Sequence, residues 1–110
     1  MPETVYDRDG SQISLTEERW EHIIEFHEEM QEYREHVLTT LRRGQRRQDP
    51  IDPTGYSYVY AFDDLEEGYT HVVVIVKFGF RETAQGTMRN NFVLTAYQKM
   101  LFSGGTGEGR

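Results

Sequence analysis

The stretch His71-Val72-Val73-Val74-Ile75-Val76-Lys77-Phe78-Gly79-Phe80 decides the fold. Its β-branched run from Val72 to Val76 suits a pleated surface packed on both sides. Strand alternation puts Val72, Val74, Val76, Phe78 and Phe80 on one face and His71, Val73, Ile75 and Lys77 on the other. Both faces are apolar except at the ends, so this is the expected middle strand. Two further segments supply its neighbours. Tyr56 to Phe62 sets Tyr56, Tyr58, Tyr60 and Phe62 against Ser57, Val59 and Ala61. Phe92 to Tyr97 alternates Phe92, Leu94 and Ala96 with Val93, Thr95 and Tyr97. Pro50 and Pro53 limit residues 45–49 to an edge strand at most, because proline cannot donate to a sheet ladder.

Working outward, residues 5–15 read as a short hairpin turning at Asp9-Gly10. Thr16 is the expected N-cap of a first helix running to about Glu29, with Glu17 and Glu18 suited to its positive end. Trp20, Ile23, Ile24 and His27 form its apolar stripe, widened by Phe26 and Met30. A second helix, from about Gln31 to Arg43, buries Tyr33, Val37 and Leu41 with Leu38 beside them, and Gly44 stops it. Residues 81–91 are long, polar and expected to be poorly ordered. The tail 103–110, with four glycines, is expected to be disordered. Residues 1–102 thus read as one α+β domain, with a hairpin and two helices on one face of an antiparallel sheet of about four strands.

Composition narrows the function. A chain of 110 residues is one domain. It has no cysteine, which excludes disulfides, thiolate metal sites and thiol nucleophiles, and fits a reducing, cytoplasmic setting. Met1-Pro2-Glu3-Thr4 has no basic-then-apolar pattern, so no signal peptide is expected. The run Val72–Val76 is far shorter than the roughly 20 apolar residues of a membrane span. A net charge of −7 argues against a protein that coats nucleic acid nonspecifically. Even so, Arg42, Arg43, Arg46 and Arg47 form a compact basic cluster, which is compatible with a local phosphate site.

His27 is the leading candidate for chemistry, because imidazole moves protons near neutral pH and this one lies in the apolar stripe. The plainer reading is a core histidine bonded to a carbonyl. His22, His36 and His71 show no metal-ligand spacing, so neither a metal nor a cofactor is expected. The arginines either clamp phosphate or compensate a helix end. Lys77 is a lone cation in an apolar strand. Tyr58, Tyr60 and Tyr97 are either a base-stacking platform or ordinary strand tyrosines.

Ser14 to Ile23, then His27-Glu28-Glu29-Met30, resembles the first helix of the barnase–EndoU–colicin–RelE-like (BECR-fold) nuclease family of small prokaryotic and phage domains. His71 to Lys77 resembles its central strand and Phe92 to Tyr97 its last. In that family a Pro usually follows the helix histidine, where this chain has Glu28. The resemblance implies a metal-independent ribonuclease. His27 would match the helix histidine and Thr95 the hydroxyl of the last strand, with Lys77, Arg46 or Arg47 as the cation. RNA is then the expected partner, with an antitoxin or another protein as a second. The rival expectation is a non-catalytic protein-interaction module, which the acidic balance favours.

Overall fold

The computed structural model describes Glu3–Leu101. Strands β1 (Glu3–Tyr6) and β2 (Gln12–Leu15) form the N-terminal hairpin, followed by helix α1 (Glu17–Phe26), a 3₁₀ turn (Glu28–Glu32) and helix α2 (Arg34–Arg43). Strands β3 (Gln45–Gln48), β4 (Gly55–Ala61), β5 (His71–Lys77), β6 (Phe80–Thr83), β7 (Gly86–Arg89) and β8 (Phe92–Lys99) complete the chain. The architecture is α+β. One curled sheet runs in the order β1-β2-β8-β5-β4-β3, antiparallel throughout except for the parallel pair β2 and β8.

The valine-rich strand is indeed interior, flanked by β4 and β8. Its Val72, Val74 and Val76 are fully buried, with Ile23, Val37 and Leu41 from the helices in the same core cluster. Each such side chain contributes about 1.5–3 kcal/mol through removal from water. Thr16 caps α1, its hydroxyl accepting from the Arg19 N–H at 3.0 Å. Gly44 caps α2, and its N–H donates to the Thr40 carbonyl at 2.7 Å. A Cβ at Gly44 would run into that same carbonyl and lie 2.9 Å from the Val59 carbonyl, so a side chain cannot enter here.

Four expectations need correction. The main sheet has six strands rather than about four, because the N-terminal hairpin joins it instead of packing separately. Asn91 makes the join: its carbonyl accepts from Ser14 N–H at 2.9 Å and its side-chain amide donates to the Gln12 carbonyl at 2.9 Å. Helix α1 ends at Phe26 instead of about Glu29, and the backbone at His27 (φ −135°, ψ 70°) turns the chain into the 3₁₀ segment. Phe26, expected in the apolar stripe, is therefore two-thirds exposed, whereas Met30 is carried inward and fully buried.

Residues 81–91 are not a loop. They hold most of the separate hairpin β6–β7, which turns through Gly86 at φ +111°. Phe80 opens that hairpin and is 65% exposed, so the central strand ends at Lys77. Finally, β8 does not alternate cleanly. Its register against β5 slips between Ile75 and Val76, so Val76 faces Val93 while Ile75 faces Thr95. Leu94 is the extra residue of a bulge, which sends Val93 into the core and leaves Thr95 and Tyr97 on the opposite face. The tail 103–110 lies outside the described residues.

The Tyr58 hydroxyl, fully buried, donates to Asp7 Oδ2 at 2.6 Å. Burial, and then the Asp7 carboxylate, push its pKa above the usual phenol range. Replacing Tyr58 with Phe removes one bond from a buried carboxylate and should destabilise the protein by about 1–3 kcal/mol. Urea denaturation should show a lower midpoint at unchanged slope, and an unaltered midpoint would contradict a role for this contact.

Candidate functional site

The helices pack on the sheet face that carries Val72, Val74 and Val76. The register assigns the residues of the other face, across which neither helix lies. Arg47, Ser57, Ile75 and Thr95 stand opposite one another in one row across β3, β4, β5 and β8. The next row is Gln45, Val59, Val73 and Tyr97, and the third is Ala61, His71 and Lys99. A groove of about 650 Å³ lies on this face, lined by Arg47, Ser57, Val59, Ile75, Tyr97 and Lys99 among others.

His27 reaches this face from the side. Beyond Phe92 the outer edge of β8 has no strand partner among the described residues, and α1 lies along it. The cap position at the end of α1 brings the His27 ring to 5.8 Å from the Tyr97 ring, centroid to centroid. Its side chain is 35% exposed, with Glu29 Oε2 at 3.7 Å from Nδ1. The imidazole therefore faces the sheet, the direction in which the apolar stripe pointed it, but at the sheet's edge and not in the core as the plainer reading had it. The early end of the helix is the reason. Thr95, two residues from Tyr97, shares that face.

The expected cations divide. Arg47 is exposed and, like Lys99, forms no ion pair among the described residues. Arg46 is already occupied. Its guanidinium meets Asp7 and Asp9, each at 3.2 Å, and lies over the rings of Tyr56 (4.7 Å) and Phe78 (5.5 Å). Its charge is already met by carboxylates, unlike the free cation expected from the sequence. Lys77 stands on the same face as Thr95, but its ammonium donates to Asp52 Oδ2 at 2.8 Å. That pair cancels the positive charge Lys77 was expected to bring.

The tyrosines divide as well. Tyr58 is completely buried and cannot stack on a base. Tyr60 stands opposite Val72 on the helix-covered side and packs edge-on against Phe62 at 5.3 Å. Only Tyr97 of the three lies on the open face, so they form no common platform. Two residues escaped the sequence reading. Lys99 continues the alternation of Thr95 and Tyr97 one step past the segment considered. His71, taken as isolated, stands directly opposite Lys99.

His36 was also read as isolated, yet its Nε2 lies 2.9 Å from Asp64 Oδ1. Its ring packs on Phe62 and Tyr33, away from the open face. Among the described residues no group of three or more His, Asp or Glu has metal-holding geometry. Nor is any helix long and apolar enough to cross a membrane. No family model, curated protein or solved structure matches this chain.

The Lys77–Asp52 pair has a measurable signature. The Lys77 ammonium, then the Thr54 hydroxyl and N–H, hold the Asp52 carboxyl down to about 2 from its usual 3.8. Because the folded value is depressed, the stabilising contribution is complete above about 3.8 and lost as pH falls toward 2. Carboxyl-detected NMR titration should find Asp52 protonating near 2, and Lys77→Met should move that midpoint upward. An Asp52 that titrates at its usual value in wild-type protein would show that Lys77 is a free cation after all.

Proposed function

We propose that the open face binds single-stranded RNA and cleaves it without metal, and that the domain is a RelE/barnase-like (BECR-fold) ribonuclease, toxin-like in kind. The observation that carries this reading is the placement of imidazole, hydroxyl, phenol and unpaired cations on one face. His27 touches Tyr97, Tyr97 and Thr95 share the strand, and Lys99 and Arg47 form no ion pair among the described residues. The bulge at Leu94 supports it too, since bulges concentrate beside active sites, where they re-aim side chains.

The chemistry is transesterification. The ribose 2′-oxygen attacks phosphorus and loses its proton to a base, and the P–O5′ bond breaks as the departing oxygen takes a proton from an acid. The products are a 2′,3′-cyclic phosphate and a 5′-hydroxyl. His27 carries one of the two protons. Lys99 beside Tyr97 offsets the charge that develops on the non-bridging oxygens, and Thr95, four residues or about 13 Å back along β8, donates to the adjoining phosphate. Arg47 lies three strand spacings from Thr95, about 14 Å, and so holds a neighbouring phosphate of the same strand. The Tyr97 ring and the Val59–Ile75 floor offer an apolar surface for a base.

The second reading is a protein-interaction module that keeps this fold. The Glu-rich surface of α1 and the 3₁₀ turn, with Phe26 exposed within it, favours it. An antitoxin or other protein partner would then occupy a surface of the domain instead of RNA.

Cleavage of mixed-sequence RNA in EDTA, with and without ribosomes, separates the two. His27→Ala should lower the rate by about 10²- to 10⁴-fold while circular dichroism and thermal midpoint stay close to wild type. Thr95→Val should also reduce the rate. Wild-type protein that cuts no RNA under either condition would replace the nuclease with the interaction module.

A further inference from the structure

The proposed reaction needs two groups that carry protons, and His27 is one. We propose that His71 is the other, so that the reacting phosphate lies over Tyr97 and Lys99 between two imidazoles. The inference deepens the ribonuclease reading and rests on it.

The geometry is as follows. His71 opens β5 and stands directly opposite Lys99, which places their Cβ atoms about 5 Å apart on the open face. Tyr97 is the next residue of β8 on that face, and His27 lies against its ring from the outer edge. The two histidines therefore flank β8, one from the β5 side and one from the α1 side. The His71 ring is also held in place. Its Nδ1 lies 2.6 Å from the Thr70 hydroxyl, which itself accepts the Leu101 N–H at 2.9 Å. Nε2 has no partner among the described residues and is the nitrogen left for a ligand. Burial keeps the pKa of this imidazole below the usual histidine value, which suits a neutral ring that accepts the 2′-hydroxyl proton. His27 then returns a proton to the leaving 5′-oxygen, and the proton count closes.

His22 and His36 make the test internally controlled, since one is exposed on α1 and the other is engaged by Asp64. The probe is a short mixed-sequence oligoribonucleotide with 2′-O-methyl groups, which cannot form the cyclic phosphate. Histidine ring-nitrogen NMR spectra recorded during its addition should show His71 and His27 shifting with one common midpoint, and His22 and His36 unmoved. Lys99→Ala should weaken the His71 response at least tenfold.

With cleavable RNA, His71→Gln should slow turnover by about 10²- to 10⁴-fold at unchanged affinity for the probe. A His27 response without a His71 response would overturn the inference and leave RNA binding at the open face standing. So would a His71→Gln protein that cleaves at the wild-type rate. If neither ring responds, both this inference and the RNA reading fall.

Discussion

The Asp7 carboxylate is the interaction on which the rest of the structure depends. One oxygen accepts the N–H groups of Asp9 and Ser11, at 2.9 and 2.8 Å, and closes the turn of the first hairpin. The other accepts the Tyr58 hydroxyl and the Arg46 guanidinium, from β4 and β3. In the sheet order the first hairpin and β3–β4 lie at opposite ends, so this single buried group ties the two ends of the sheet together. The curl of the sheet follows, with the helices enclosed on the inner side. A carboxylate can be buried so deeply only because four donors, the Arg46 guanidinium among them, compensate its desolvation. Losing any one partner would leave charge unmatched in an apolar setting.

That curl separates two faces with different tasks. The inner face carries the valines, Tyr58 and the helices, and provides the stability. The outer face carries no helix, and its side chains are released from core packing. Two irregularities then furnish it. The bulge at Leu94 rotates Thr95 and Tyr97 outward while keeping Val93 and Ala96 in the core. The early end of α1 lets His27 leave the helix stripe and meet Tyr97 across the unpaired edge of β8. Both irregularities serve packing as well, since the bulge sends Val93 into the core and the turn after α1 buries Met30.

Local chemistry was legible in the sequence wherever it decides structure locally. Asp9-Gly10 specified a turn, Thr16 a cap, Gly44 a stop, and the run at Val72 an interior strand. Long-range pairings were not legible. Nothing near Ser14 reveals that it bonds Asn91, and a six-stranded sheet cannot be read without that contact. The second hairpin was missed because polar residues around Gln85-Gly86 describe a loop as well as a solvent-exposed ribbon. For the site, alternation correctly grouped Thr95 with Tyr97 but could not register a bulge that removed Val93 from the same face. Whether a cation is free is equally hidden. Arg46, Arg47 and Lys77 look alike in sequence, yet only the folded chain brings Asp7 to the first and Asp52 to the last.

The fate of these cations reconciles an acidic chain with the proposed phosphate-binding surface. Arg34, Arg46 and Lys77 are neutralised by carboxylates that also fix the fold. Glutamates are gathered on α1 and the 3₁₀ turn, while Arg47 and Lys99 on the open sheet face keep their charge. Over a Debye length of about 8 Å at physiological salt, a phosphate at Lys99 feels mainly its immediate neighbours, Glu29 beside His27 among them, more than the net charge of the whole chain. Net charge thus limits nonspecific adhesion without abolishing a local site. With Arg47 and Lys99 the cations on that face that form no ion pair among the described residues, charge alone cannot supply tight binding, since such affinity grows with the number of phosphates neutralised. The remainder must come from stacking on Tyr97 and from fixed donors, both of which discriminate by geometry. An acidic body with a sparsely charged face therefore suits a protein that selects where it binds a strand rather than one that coats it.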